Sequence, residues 1–489
     1  AYQLRRMGHK VTVFEAQADL GGMMRYGIPN YRIPRDKLAA ENQRIVDMGG
    51  VEVRTSTRVG TDVSVADLEK DYDAILWAIG CWTGRDLPAP GWEGTPNCVS
   101  GVAFLKAFNE GRMKVTGKKL ICVGGGDTSI DVVSVARRIG HNAAAGKPED
   151  VVHSDEMDQD KALADAAEPV DATLTSLFTK DKMFAAEHEI HDALHEGVTI
   201  LDGVMPVEII KGADGRATGM KVCDCTMDGN TPVPVEGTER ILEADIIVAA
   251  IGQGGDMTGL EEFDNGRGLM DTDKYYQVSG KPKHFAIGDI VRPHLLTTAI
   301  GHASVAAESI NAFLNHKEQK KRPKVDVHHF DLEAKMAEAG LSPEHFDSSE
   351  GDMRGTSSSN WAVHNYEDRS FANIIGADEL FLGHFSETPR IMRSEDVPSA
   401  DDVLGHFHER MKGLEEAQAQ EESKRCMSCG MCFECDNCVI FCPQDAVYRV
   451  KPAERTTGRY VATDYNKCVG CHICADVCPT GYIKMGLGE

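Results

Sequence analysis

Short apolar runs punctuate the first 290 residues: KVTVF (10–14), AILWAIG (74–80), LICV (120–123), ADIIVAAIG (244–252) and HFAIG (284–288). Their aliphatic positions are consecutive, the pattern of strands buried on both faces of a parallel sheet. Helical stretches separate them. Residues 2–7 continue a helix that Gly8 ends, 131–139 continue one behind a glycine loop, and LLTTAIGHASVAAESI (295–310) starts one near Thr297. Strand and helix alternate, so the spacing predicts an α/β chain built from two Rossmann-like domains.

Other stretches lack such periodicity. Residues 141–171 carry nine acidic residues and two lysines and read as a solvated insertion. KEQKKRPKVDV (317–327) reads as a linker, and SSEGDMRGTSSSNW (348–361) as loop. DDVLGHFHERMKGLEEAQAQEESKR (401–425) predicts a helix broken or bent near Gly413. His328, His329, His406 and His408 are not spaced for a metal and read as surface or core residues.

The 489 residues are 42% hydrophobic and 26% charged, enough for about three domains. A net charge of -25 argues against nucleic acid or an anionic membrane surface as partner. No run of 18 apolar residues predicts a membrane span, and no signal peptide opens the chain. Ten of the 15 cysteines lie from Cys426 onward. Clustering at one end of a large chain points to metal ligands in a reducing compartment, read as cytoplasmic.

Glycines and acids at the strand ends give the first chemistry. KKLICVGGGDTSIDVVSVARRIG (118–140) is strand, glycine loop and helix in order. Gly124 and Gly126 allow the tight turn and close approach of a pyrophosphate, with Gly125, Asp127 and Thr128 beside them. Ser129 takes the third fingerprint position, which needs only a small residue. Glu15 closes the first strand, where an acid accepts hydrogen bonds from an adenosine ribose. The G-x-G-x-x-G loop expected before it is absent, which predicts a preceding segment that carries it. Gly288 and Asp289 end a strand in the way flavoproteins hold the FAD ribityl chain. The helix that opens near Thr297 and Thr298 would aim free amides at the flavin. Gly80 and Gly252 end the two Ala-Ile-Gly strands, where the chain leaves one domain and re-enters it. The map is FAD-binding at 1–115 and 245–316, NAD(P)-binding at 116–244, and linker with helix at 317–425. No arginine follows the strand near 171–176; Ser176, Leu177 and Phe178 stand there, with Lys180 and Lys182 further on, which favours NAD(H) over NADP(H).

Residues 426–489 form the last domain. CVGCHICADVCP places Cys468, Cys471, Cys474 and Cys478 before Pro479, the two-cluster ferredoxin spacing. One register of the earlier run repeats it: Cys432, Cys435, Cys438 and Cys442 before Pro443. In that fold each fourth cysteine serves the other [4Fe–4S] cluster. One set is then Cys432, Cys435, Cys438 and Cys478, and the other Cys468, Cys471, Cys474 and Cys442. Zinc ribbons share C-x2-C pairs, yet two full quartets with prolines favour iron and sulfur. Cys426 and Cys429 are left as structural or spare thiols.

GGMMRYGIPNYRIP, VGGGDTSID, HFAIGD and the EEAQAQEESKRCMSCG lead-in resemble the glutamate synthase small-subunit family of NAD(P)H-dependent iron–sulfur flavoproteins, across most of 1–316 and 402–489. The resemblance implies a glutathione-reductase-like pair of domains, with Gly22, Met24, Arg25 and the 27–29 turn near the flavin. Many relatives carry Tyr-Arg-Arg where this chain has Leu177 and Phe178. A member with a C-terminal two-cluster ferredoxin looks like the DsrL type of the dissimilatory sulfite reductase system, which implies electron exchange with that reductase during sulfur oxidation. A homodimer is compatible with this reading.

The sequence thus reads as an NADH:acceptor oxidoreductase that converts two-electron to one-electron transfer, with no side chain assigned as catalytic. A disulfide reductase would need a C-x-x-C at the flavin, whereas Cys223 and Cys225 form C-x-C on a predicted strand. Two further functions fit the same motifs: a glutamate synthase-type subunit using NADPH, and a non-catalytic electron-wiring subunit.

Overall fold

The computed structural model describes residues 1–111, 117–142, 166–229, 231–319, 322, 389–424, 432, 434–454, 460–479 and 482–483. They fall into two units, Ala1–Val325 with Ser394–Lys412, and Asp326–Arg393 with Gly413–Glu489.

In the first unit a five-stranded parallel sheet runs in the order Thr199–Asp202, Asp171–Ser176, Lys119–Gly124, Ile246–Ala250, Cys98–Ser100. Its central strands are apolar at both parities because both faces are covered. Leu120, Cys122, Ile246 and Val248 face helices Gly101–Asn109 and Asp127–Ile139, packing on Phe104, Ile130 and Val133. Ile121, Val123, Ile247 and Ala249 face the other way, onto Met220, Val222 and Ile209 of an antiparallel sheet. The flavin segments pair separately: Val11–Phe14 lies parallel to Val51–Arg54, and Ile75–Trp77 to His284–Ala286. Phe14 and Trp77 share one core.

Hydrogen bonding moves two expected boundaries. Cys98–Ser100 and Ile246–Ala250, assigned above to the flavin parts 1–115 and 245–316, pair with each other and with Lys119–Gly124 in the inserted sheet. An apolar strand such as IIVAA must be covered on both faces, and only the inserted sheet offers that. Both chain crossings are tied at one buried amide. Asn97 Nδ2 donates to Ala217 O (2.8 Å) and Asp245 O (2.7 Å), and Asn97 Oδ1 accepts from Ala217 N (2.8 Å). Asp245 Oδ2 accepts from the amides of Lys118 and Lys119.

The helix expected over 401–425 is confined to Glu416–Ser423, opened by a capping box of Glu415 and Gln418. Residues 394–412 instead fold back on themselves, Asp396 N donating to Arg410 O (2.7 Å) and Lys412 N to Ser394 O (2.9 Å). Tertiary packing overrides helix propensity here. Val403 is fully buried, and Phe407 packs against Phe108 and Tyr31. Arg410 Nη1 binds Glu189 Oε2 at 2.8 Å, and Arg410 Nη2 also pairs with Asp192. Glu189 Oε1 pairs with Arg32, which also pairs with Asp131. Nearby, Arg138 grips Glu196 through both terminal nitrogens at 2.8 Å and lies 4.4 Å from the Tyr31 ring centre. Most of the 141–171 insertion, and residues 323–388 with His328 and His329, lie outside the described residues.

In the second unit, helices Asn437–Ile440 and Ile473–Asp476 accompany strands Val447–Arg449 and Val461–Thr463, paired antiparallel with Val447 opposite Thr463.

Asn97→Ala should lower stability by roughly 3 kcal/mol, since it strands two buried carbonyls and one amide. Denaturant unfolding followed by circular dichroism checks this. Burial pushes the Asp131 carboxyl up to about 6 from 3.8, against the pull of Arg32. Protonated Asp131 is therefore favoured by folding, and that contribution is lost as pH rises from 3.8 through about 6. Tm plotted against pH should fall less steeply across this window in Asp131→Asn than in the parent chain.

Candidate functional site

The parallel strands Ile75–Trp77 and His284–Ala286 carry their glycine ends to one place. Gly80 and Gly288 both take positive φ, and the Cys81 thiol donates to Asp289 O at 3.3 Å. Burial, with Asp289 nearby, pushes that thiol up to about 11, so it stays a donor at neutral pH. Asp289 Oδ1 accepts from His294 N (3.2 Å), and His294 pairs with Thr298 Oγ1 (2.8 Å). Helix Leu296–Leu314 starts there with Thr297 exposed. His302 Nδ1 accepts from Gly288 N, which places its proton on Nε2.

Glu15 ends the first strand, its Oε1 taking Gln17 N at 2.8 Å, and burial raises its carboxyl. Gly22, Met24 and Arg25 lie on helix Gly22–Tyr26, with Arg25 paired to Asp19 at 2.7 Å. The turn that follows is organised by Arg35, a residue the sequence reading passed over. Its guanidinium donates to the carbonyls of Met24, Ile28 and Ile33 and to Asn109 Oδ1. Such a hub carries no local motif; only the carbonyl-rich turn of a G-x-P segment hints at it.

The glycine loop sits where the inserted sheet meets its helix. A Cβ at Gly124 would lie 2.6 Å from Ala250 O and 2.9 Å from Ser129 Cβ, so glycine is obligatory and Ser129 is the small packed residue expected. At Gly125 it would meet Ser176 Oγ at 2.9 Å, while Gly126 faces open space. Gly126 caps helix Asp127–Ile139 without a side-chain bond, which leaves its first amides for a ligand phosphate. Asp127 Oδ1 accepts from Ala186 N, and Thr128 packs beside Gly101. Gly252 follows the strand whose Ala250 carbonyl underlies Gly124. A short ribbon of Thr83–Gly84 against Gln253–Gly254 joins the chain beyond Gly80 and Gly252.

Among the described residues, the cysteines of the second unit line two cavities. One, of about 20 Å³, is bordered by Cys432, Cys435, Cys438 and Cys478. The other, of about 180 Å³, is bordered by Cys442, Cys468, Cys471 and Cys474. Each takes three thiols from one run and the fourth from the other run. Burial pushes Cys438 up to about 12 and Cys474 to about 11, so ligation must displace their protons. The two loops repeat in backbone detail. Glu434 (φ 64°) matches Gly470 (φ 65°), and Asp436 (φ 61°) matches His472 (φ 65°). Arg449 steadies the first loop, bonding Asp436 Oδ1 at 2.6 Å and Glu434 Oε2 at 2.9 Å. Cys426 and Cys429 lie outside the described residues.

The profile of the pyridine nucleotide-disulphide oxidoreductase family matches residues 1–308. The chain belongs to this family. A 4Fe-4S dicluster domain matches residues 431–482. The chain is 34% identical over 325 residues to the NADP(+)-dependent formate dehydrogenase subunit beta of Moorella thermoacetica, covering 64% of this chain and 42% of that protein. It is 30% identical over 334 residues to a glutamate synthase [NADPH] small chain of Mycobacterium tuberculosis, covering 64% of each. The chain thus spans less than two thirds of the length of these relatives. Mycobacterium tuberculosis FprA in complex with NADPH superposes with a TM-score of 0.52 at 15% identity, over 68% of this chain and 82% of that one, which shows the fold. The match to an iron–sulfur flavoprotein of the glutamate synthase small-subunit type holds across both domains. A family member acting on disulfides would set a cysteine pair at the flavin. Here Cys81 has no C-x-x-C neighbour, and Cys223 and Cys225 are buried on strand Ala217–Asp228 of the antiparallel sheet. Among the described residues no helix is long and apolar enough to cross a membrane.

Gly470→Ala should cost the second unit about 1 kcal/mol, because alanine resists a positive φ. His472→Gly should shift stability the opposite way. The urea midpoint for loss of cluster absorbance in reconstituted protein measures both.

Proposed function

We propose that this chain is an NAD(P)H:acceptor oxidoreductase that exchanges electrons between a nicotinamide nucleotide and a redox protein through FAD and two [4Fe–4S] clusters. The observation that carries this reading is the sorting of eight cysteines into two four-thiol cavities, on the same chain as a glycine-loop dinucleotide fold. When bound, FAD takes up two electrons as hydride and releases them singly, which is the form the clusters carry.

The chain's own residues supply binding and orientation. The amides at Gly124, Gly125 and Gly126, with the start of helix Asp127–Ile139, would hold the nicotinamide pyrophosphate. Glu15 would accept from the flavin's adenosine ribose and Asp289 from its ribityl hydroxyls. Gly22, Met24, Arg25 and Gly80 would flank the flavin, with Thr297 and Thr298 at its pyrimidine edge. Cys432, Cys435, Cys438 and Cys478 would hold one cluster, and Cys442, Cys468, Cys471 and Cys474 the other.

NADH is the favoured nucleotide, since Ser176, Leu177 and Phe178 offer no guanidinium to a 2′-phosphate. The relatives named for NADPH and NADP(+) support the opposite preference, with Lys180 and Lys182 as the candidate cations. The partner proposed is dissimilatory sulfite reductase, supported by the joining of a glutamate synthase-type flavoprotein to a C-terminal dicluster ferredoxin. A glutamate synthase large subunit is the rival partner.

Anaerobic rapid mixing of the flavin- and cluster-loaded protein with NADH and, separately, NADPH tests the reading. Fast flavin bleaching followed by cluster bleaching is expected, with NADH the better donor by about tenfold. A flavin that neither nucleotide bleaches sinks the enzyme reading in favour of a wiring subunit. Addition of purified sulfite reductase or of glutamate synthase large subunit should then reoxidise the clusters in the first case only.

A further inference from the structure

The turn that follows helix Gly22–Tyr26 ends at Tyr31 and Arg32, and Arg32 leaves the flavin segment altogether. Its Nη1 pairs with Asp131 of the dinucleotide helix and its Nη2 with Glu189 of helix Glu187–His195. Asp131 stands one helical turn beyond Asp127 and the glycine loop. Glu189 divides its carboxylate, one oxygen to Arg32 and the other to Arg410 at 2.8 Å. Arg410 also binds the Tyr31 carbonyl through its backbone amide at 3.1 Å. The carboxylates of Asp131 and Glu189 are only 9% and 8% exposed, so solvent and salt screen these pairs weakly.

We propose that Arg32 is a positioning residue: its two-carboxylate bridge sets the dinucleotide helix against the flavin segment, and Arg410 locks the bridge. The inference rests on the oxidoreductase reading above. A guanidinium suits the role because its planar fork reaches carboxylates on two helices at once, which a lysine ammonium on one point cannot do. Misplacement of reacting atoms by an ångström costs on the order of a hundredfold in rate. A bridge far from the chemistry therefore acts on rate rather than on nucleotide affinity.

The test uses Arg32→Gln and Arg32→Lys in the full chain loaded with flavin and clusters. Amide hydrogen exchange without nucleotide should speed up over 27–34 and 187–195 in Arg32→Gln. Rapid mixing with NADH and NADPH at several concentrations should show the saturating rate of flavin reduction falling at least about tenfold, with nucleotide Kd changed less than about twofold and Arg32→Lys intermediate. Unchanged exchange and rate, or a loss confined to Kd, overturns the proposal. If Arg32→Gln does not fold, Arg32→Lys decides alone, and a parental rate and exchange pattern in it overturns the proposal. Parent protein that no nucleotide reduces defeats the oxidoreductase reading instead, while faster exchange in Arg32→Gln would still support the bridge.

Discussion

Two crossings of the chain between the flavin segments and the inserted sheet are held by one side chain, the buried amide of Asn97. Its partners, Ala217 and Asp245, belong to the antiparallel layer and to the returning strand. Around that tie, Ile246–Ala250 takes its place between Lys119–Gly124 and Cys98–Ser100. The strand then supplies the carbonyl of Ala250 beneath Gly124, and so the tight turn of the glycine loop. The phosphate-facing amides depend on the crossing being closed correctly.

What the sequence made legible were features with a local cause. Strands apolar at both parities declared themselves, because a side chain at each parity needs its own cover. The glycine loop was readable because a Cβ at Gly124 is sterically forbidden, and the cysteine spacing because metal ligation fixes short intervals. The domain boundaries were not readable: whether AILW or IIVAA joins the inserted sheet is decided by partners, not by their own similar composition. The segment 394–412 misled for the same reason. Its helical propensity is real, but Phe407 and Arg410 gain more from Tyr31, Glu189 and Asp192 than a free helix would gain from its own hydrogen bonds. Ion pairs across 99, 157 and 221 residues leave no periodic trace.

The ferredoxin-like unit illustrates how a duplicated loop can drift while its backbone does not. Glycine serves at 470 where its counterpart is Glu434, and both stand at nearly the same left-handed φ. The first copy tolerates the strained glutamate because Arg449 ties it to Asp436 and to the strand behind it. The second copy reaches the same conformation through glycine's freedom. The hand of the backbone is thus retained and its chemical support exchanged.

The backward reach of residues 394–412 also bears on how the protein is made. Glu189 and its helix leave the ribosome 221 residues before the arginine that completes their charge pairing. At ordinary synthesis rates that is an interval of roughly 10–45 s. Throughout it, Glu189 and Asp192 lack their second cation and the surface later covered by Val403 and Phe407 stands open. The inserted domain would finish as a late event in biogenesis, dependent on the arrival of a distant stretch of its own chain. A nascent chain stalled before residue 410 would present that uncovered face to chaperones.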